Sequence, residues 1–137
     1  MAVSVEGYAS QHHLDFATGD GSHVHVLTGI VLMSFQGTSS LDYRRDQLTF
    51  EVPIPELPFG KGLRVVHWAP YVAPASFGNE GPPLSVGWAV DGFRLVNTGP
   101  VIETATIVCD LAVRDPGSFL YRVAYSLHLL GQHDDLP

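Results

Sequence analysis

The chain has 137 residues, a length that fits one domain burying roughly two thirds of its unfolded surface without disulfides to staple it. Apolar residues make up 45% and charged residues 15%, with a formal net charge of −7 from seven basic and fourteen acidic side chains. That balance excludes a phosphate-binding footprint, which needs clustered Lys and Arg. Arg44 and Arg45 are adjacent, but Asp42 and Asp46 flank them. Nucleic acid and anionic membrane surfaces are therefore not expected partners. The apolar, charge-poor composition instead suggests burial against copies of the same chain, so a homo-oligomer is expected.

Cys109 is alone, which rules out an internal disulfide and a cysteine zinc cluster. Its place in the run TIVCDLAV predicts a small buried hydrophobe. The start MAVSVEGYASQHH lacks a basic n-region and an apolar h-region, and no stretch reaches eighteen consecutive apolar residues. The expectation is a soluble protein made in a cytoplasm without a signal peptide, with no membrane insertion.

The recurring signal along the chain is period two, bounded by Gly, Pro, Asn and Asp. Segments 3–8 and 13–17 can add edge strands. HVHVLTGIVLMSF (23–35) predicts a long strand, bent or bulged at Gly29. QLTFEVPI (47–54) places Leu48, Phe50 and Val52 on one face, and Pro53, Pro55 and Pro58 then end it, because proline cannot donate to a ladder. GLRVVHWAPYVA (62–73) predicts a strand interrupted or edged at Pro70.

From Pro70 to Pro83 the chain has four prolines and two glycines in fourteen residues. This predicts a long connection, for which two readings stand side by side. It is either a rigid arc presenting Tyr71, Phe77, Asn79 and Glu80 beside Trp68, or a plain crossover lying over the end of the domain. LSVGWAV and FRLVN, joined by Asp91-Gly92, read as a hairpin with a tight primed turn. Segments 101–113 and 118–130, joined by Asp115-Pro116-Gly117, read as a second, longer hairpin.

No window shows sustained helical spacing with capping signals. The fold class is therefore all-β: a single antiparallel β-sandwich, jelly-roll-like, over residues 1–131. Residues 132–137 (QHDDLP) are expected as a polar, frayed tail.

His23 and His25 stand two residues apart, so in a strand they share a face. Two imidazoles on one face can begin a zinc, iron or manganese site, which then needs at least one more ligand. His67 and His128 lie in other predicted strands and are the candidates for it. Val24 and Val26 are expected to give the strand its buried face, leaving the histidines on the wetter one. The cupin family uses this spacing with a Glu about four residues after the second His; here those positions are Gly29 and Ile30. No metal or other cofactor is therefore expected, with His23, His25 and His67 as the alternative metal set.

Catalytic constellations are sparse. There is no Gly-x-Ser-x-Gly elbow, and FGKG (59–62) lacks Walker spacing. Asp110 and Glu103 interrupt an apolar strand, either on a solvated face or as interior carboxylates of a closed barrel. Sugars need aromatic rings against their apolar faces and planar polar groups for their hydroxyls. Trp68, Tyr71, Asn79, Arg114, Asp115 and Tyr121 are of that kind, in or beside loops, whereas Trp88 reads as core.

Between residues 47 and 131 the order LTFEVPIPELPFGKGLRVVHWAPYV, VDGFRL and FLYRVAYSLHLLG resembles the H-type lectin domain. That is a six-stranded sandwich that trimerises and binds sugars at subunit edges. The resemblance implies Asp115 and Tyr121 as ligand contacts. The family's stacking Trp has no counterpart, because Leu127 stands six residues after Tyr121. The same sandwich is similar to bacteriophage tail and baseplate modules. The expected function is thus a non-enzymatic binding module for a glycan, through Trp68, Tyr71, Asn79, Asp115 and Tyr121. One alternative is a virion or other assembly protein, with protein surfaces as partners. The other is a small cupin- or calycin-like barrel enzyme with a histidine metal site.

Overall fold

A computed structural model of the chain describes residues 3–79, 87–97 and 99–137. Among the described residues there are eight strands and no helix. They are β1 (Gly7–Ala17), β2 (His23–Gln36), β3 (Arg44–Pro53), β4 (Lys61–Asn79), β5 (Gly87–Leu95), β6 (Val101–Ile102), β7 (Thr104–Arg114) and β8 (Ser118–Asp135). Two antiparallel sheets pack face to face, a five-stranded one in the order β1-β2-β8-β4-β6 and a three-stranded one in the order β3-β7-β5. The chain is an all-β sandwich, as the alternation predicts.

Period-two burial explains the packing. Leu27, Val31 and Met33 of β2 and Val123, Tyr125, Leu127 and Leu129 of β8 face Leu48, Phe50 and Val52 of β3 and Ile107, Cys109, Leu111 and Val113 of β7. Removing each such side chain from water contributes roughly 1.5–3 kcal/mol. Cys109 is fully buried, and burial pushes its thiol up to about 12, so it is inert packing. Trp88 packs against the same core and donates its Nε1–H to the Phe119 carbonyl at 3.0 Å.

Several local expectations are corrected. Gly29 pairs regularly with Tyr125 of β8, but toward β1 it stands at a bulge carried by the partner strand, and β2 is irregular again between Leu32 and Phe35. A Cβ at Gly29 would stand 2.5 Å from the Tyr125 hydroxyl, so glycine there makes room for the ring lying across it. Residues 70–79 are strand rather than loop: β4 runs on through Pro70, paired with Leu127, and Pro74, paired with Val123. Prolines are tolerated because β6 pairs only with Leu63 and Arg64, so among the described residues β4 beyond that point is an edge with no ladder partner needing their N–H. Residues 80–83 of the proline-rich stretch, and 84–86 of the first expected hairpin, lie outside the described residues.

Asp91-Gly92 is not a hairpin turn. β5 pairs with β7 on both sides of it, and between Asp91 and Arg94 two residues oppose one, with Gly92 at a φ of 59°. This is a β-bulge, which uses the same positive φ as a turn. The second expected hairpin is an arch, since β7 and β8 belong to different sheets. Asp115 makes the crossing: its φ is 88°, its N–H donates to the Ser39 carbonyl at 2.7 Å, and its Oδ1 accepts from Gly117 N–H at 3.1 Å. Asp115→Ala should cost about 1–2 kcal/mol in urea unfolding, through the lost side-chain acceptor at a buried strained position. An unchanged midpoint would show that the arch does not need it.

The expected tail is also strand. β8 continues to Asp135, with Leu63 opposite His133 and Lys61 opposite Asp135. Lys61 and Arg64 clamp it through ion pairs of 2.6 Å to Asp135 and 2.7 Å to Asp134. This continuation carries His133 into the site described next.

Candidate metal centre

The hairpin β1–β2 turns through Thr18-Gly19-Asp20-Gly21-Ser22. Thr18 N–H donates to the Ser22 carbonyl, and the Asp20 carboxylate accepts from Thr18 Oγ1 and from Ser22 N–H. Its register sets Ala17 opposite His23, Asp15 opposite His25 and His13 opposite Leu27. Leu27 is a core residue, so positions 13, 15, 23 and 25 lie on the inward face. The histidines are thus not on the wetter face, as expected from Val24 and Val26. Those valines are half-buried on the outer side, and His25 is 1% exposed. Pairing with β8, where His25 opposes Leu129 and His23 opposes Gly131, decides it.

Two residues beyond Gly131, His133 arrives on the same face. Asp15, His23, His25 and His133 each offer one ligand atom, and these atoms all lie within 4.8 Å of one another. Two of the separations are short: His25 Nε2 to His133 Nε2 is 3.0 Å, and His23 Nδ1 to Asp15 Oδ1 is 2.9 Å. The His23 and His133 rings stack with centroids 3.8 Å apart. On its other nitrogen, His25 Nδ1 meets His13 Nε2 at 2.9 Å.

Electrostatics keep these donors ready. Burial pulls His25 down to about 4 and lowers His133 as well, so both are neutral near pH 7 with a lone pair available. Burial acts to raise Asp15, but the His23 hydrogen bond and the nearby imidazoles outweigh it and hold the carboxyl below its usual range. A carboxylate can only accept, so His23 Nδ1 carries the proton between them. A tetrahedral ion with bonds of about 2.0–2.1 Å sets its donors roughly 3.3 Å apart. The two short pairs already stand near that spacing, each with a proton where an ion would sit. Three imidazoles and one carboxylate suit zinc and other divalent first-row metals rather than calcium or magnesium. His23 and Asp15 side chains are 25% and 32% exposed, which gives an ion a way in from solvent.

The residues named from sequence are distributed otherwise. His67 is exposed on β4 opposite Leu130, and His128 is exposed opposite Val26; neither belongs to the cluster. Tyr71 is 63% exposed on β4 with its ring against Phe93, and Trp68 is 40% exposed. Tyr121 stacks on Phe119 near the start of β8. Trp68 pairs with Leu129, which at about 3.3 Å per residue stands roughly 26 Å along β8 from Tyr121. Asp115 is buried in the arch. Asn79 ends β4, and its side chain lies outside the described residues. Trp68 and Tyr121 therefore stand far apart on the sheet, and Asp115 is closed off from the surface. The residues that sequence reasoning missed are Asp15, His13 and His133. The first two were legible from the TGDGS hairpin, and the third was assigned to a frayed tail.

The geometry thus defines an all-β sandwich with a cluster of imidazoles at one end of its inner face. No family model matches the chain, and neither a curated protein nor a solved structure is similar to it. No helix among the described residues is long and apolar enough to cross a membrane.

Proposed function

We propose that this chain is a metal-binding β-sandwich module that holds a divalent transition-metal ion, zinc or one of its neighbours, through Asp15, His23, His25 and His133. The single observation that carries this reading is the convergence of four donor atoms from three strands within 4.8 Å. The donors stand on hydrogen-bonded strands, with the His23 and His133 rings stacked at 3.8 Å beside the buried His25. The ion ties the edge strand β1 and the end of β8 to β2, so binding and folding are coupled.

The test is a titration of chelator-treated, tag-free protein with cobalt(II), followed by zinc competition. One equivalent of cobalt should give the visible bands of a four-coordinate nitrogen–oxygen site, and zinc should displace it. Melting temperature should rise with metal concentration. Absence of saturable uptake at micromolar metal would overturn the proposal.

A further inference from the structure

A second feature lies beside the metal donors, on the other side of His13. A cleft of about 140 Å³ is lined by Gln11, His12, His13, Leu27, Val52, Pro53, Pro55 and Tyr125. Asp15, His23, His25 and His133 do not line it. It opens between β1, the edge of one sheet, and the end of β3 in the other.

The backbone is shaped for this cleft. Between Ala9 and His12 the register of β1 slips, so Ser10 and Gln11 together oppose Gly29. Ser10 takes a φ of 52°, a left-handed conformation that a side chain adopts at a cost of about 1 kcal/mol or more. Gln11 on the bulge stays exposed at the rim, and its Nε2–H donates to the Tyr125 hydroxyl at 3.2 Å. The partner strand contributes Gly29 at the same point, which lets the Tyr125 ring lie flat across β2. Three departures from regular strand thus meet at one spot. Bulges of this kind re-aim a side chain and recur next to binding sites.

The lining specifies its occupant. Leu27, Val52, Pro53, Pro55 and the Tyr125 ring form apolar walls, with Leu27, Val52 and Tyr125 buried beneath the rim. No Asp, Glu, Lys or Arg lines the cleft, so nothing there matches a charged ligand. The polar groups are an amide, two imidazoles and a phenol, each able to give and to take a hydrogen bond. His13 has one ring nitrogen engaged with His25 and one left over, and Tyr125 accepts from Gln11 with its own O–H still to donate. The volume is close to the ~150 Å³ in which an apolar protein cavity takes up benzene.

We infer that this cleft is a binding site for a small, uncharged ring compound carrying one hydroxyl, its ring against Leu27, Val52 and the prolines and its oxygen between Gln11, His13 and Tyr125. The inference stands apart from the metal reading and is tested on metal-free protein. Phenol is the probe, followed by amide and side-chain NMR. Saturable shifts should be confined to Gln11, His13, Leu27, Val52 and Tyr125, with a dissociation constant in about the millimolar range.

Benzene, which lacks the oxygen, should bind about 10-fold more weakly, the worth of one hydrogen bond. Pro55→Trp, at the exposed rim, should cap the cleft and abolish the shifts without unfolding the chain. His13→Ala should bring phenol down to the affinity of benzene. Shifts scattered over the surface, or none at 20-fold the expected constant (~20 mM), would overturn the inference. So would a Pro55→Trp protein that binds phenol as the parent does. Equal binding of benzene and phenol would remove the polar half of the assignment.

Discussion

Replacing His25 with alanine is expected to weaken zinc binding by roughly 100-fold or more. A structural zinc site of four protein ligands has an apparent binding free energy of about 10–16 kcal/mol near neutral pH. One donor in four then accounts for about 3 kcal/mol, or two decades in affinity. His25 is the appropriate donor to remove because it joins both arms of the cluster, touching His133 through Nε2 and His13 through Nδ1. It is also the buried one, so no water molecule readily takes its place. His133→Ala should show a comparable loss, since it withdraws the only donor supplied by β8. His67→Ala should leave affinity unchanged, because that side chain is exposed on β4 and outside the cluster. Competition titrations against a chromophoric chelator measure all three, and urea unfolding of each metal-free variant shows whether the fold is intact. A His25→Ala protein that is folded and binds zinc like the parent would place the metal elsewhere.

Metal-free protein, held in chelator, should lose roughly 2–4 kcal/mol of stability between pH 7 and pH 4. The cause is His25, whose ordinary value of 6.5 falls to about 4 in the folded chain because burial penalises the charged ring. Between those two values the unfolded chain binds a proton that the folded chain refuses. Stability therefore rises with pH across this window, is complete above about 6.5, and is lost as pH falls toward 4. The groups facing His25 are Asp15, His13, His23 and His133, and they modulate the effect. Asp15 favours the charged ring, while the three imidazoles oppose it. His133 is itself lowered by burial, so its contribution runs in the same direction. Urea midpoints measured at half-unit steps from pH 7 to pH 4 would follow the loss, and His25→Gln should flatten it. A profile already flat in the parent protein would show that the ring is solvated.

The two effects have a common origin. A neutral imidazole held inside the sandwich is costly to protonate, and an ion entering between His25 Nε2 and His133 Nε2 would take the place of the proton they share. Metal affinity should therefore fall as pH falls, as protons and the ion compete for the same nitrogens.

Much of the fold was legible because period two is a local property. The run Leu48, Phe50, Val52 points inward as its alternation says, and Cys109 and Trp88 are packed as their neighbours suggest. Asp115-Pro116-Gly117 does form a tight turn, closed by Ser118 N–H donating to the Asp115 carbonyl at 3.0 Å, but it links two sheets, whereas Asp91-Gly92 is a bulge and no turn. Gly92 supplies a positive φ to a bulge, and Asp115 supplies one to an arch between sheets. A positive φ is a local requirement, while the strand that a segment pairs with is a choice made by the whole chain. The prolines of β4 misled for a related reason. Proline forbids one ladder bond, and it signals a loop only if a partner is waiting for that bond.

By itself, the sequence determined the class of the protein and that His23 and His25 share one strand face, while pointing to His67 as the third ligand and to no metal. Alternation demanded facing sheets, and HHLDFATGDGSHVHV contains a five-residue turn whose flanks bring His13 and Asp15 opposite Leu27 and His25. What the sequence left open was which face of that hairpin is buried, since a shift of one residue exchanges the two faces and Val24 and Val26 argue for the other. Only the tertiary structure decided it, through the pairing of β2 with β8 and the packing of Leu27 and Leu129 against the second sheet. The same pairing carried a polar C-terminal stretch into register with β4 and delivered His133, 108 positions away from His25 in the chain. Contacts at that separation depend on the closure of the whole sandwich, and no local pattern records them.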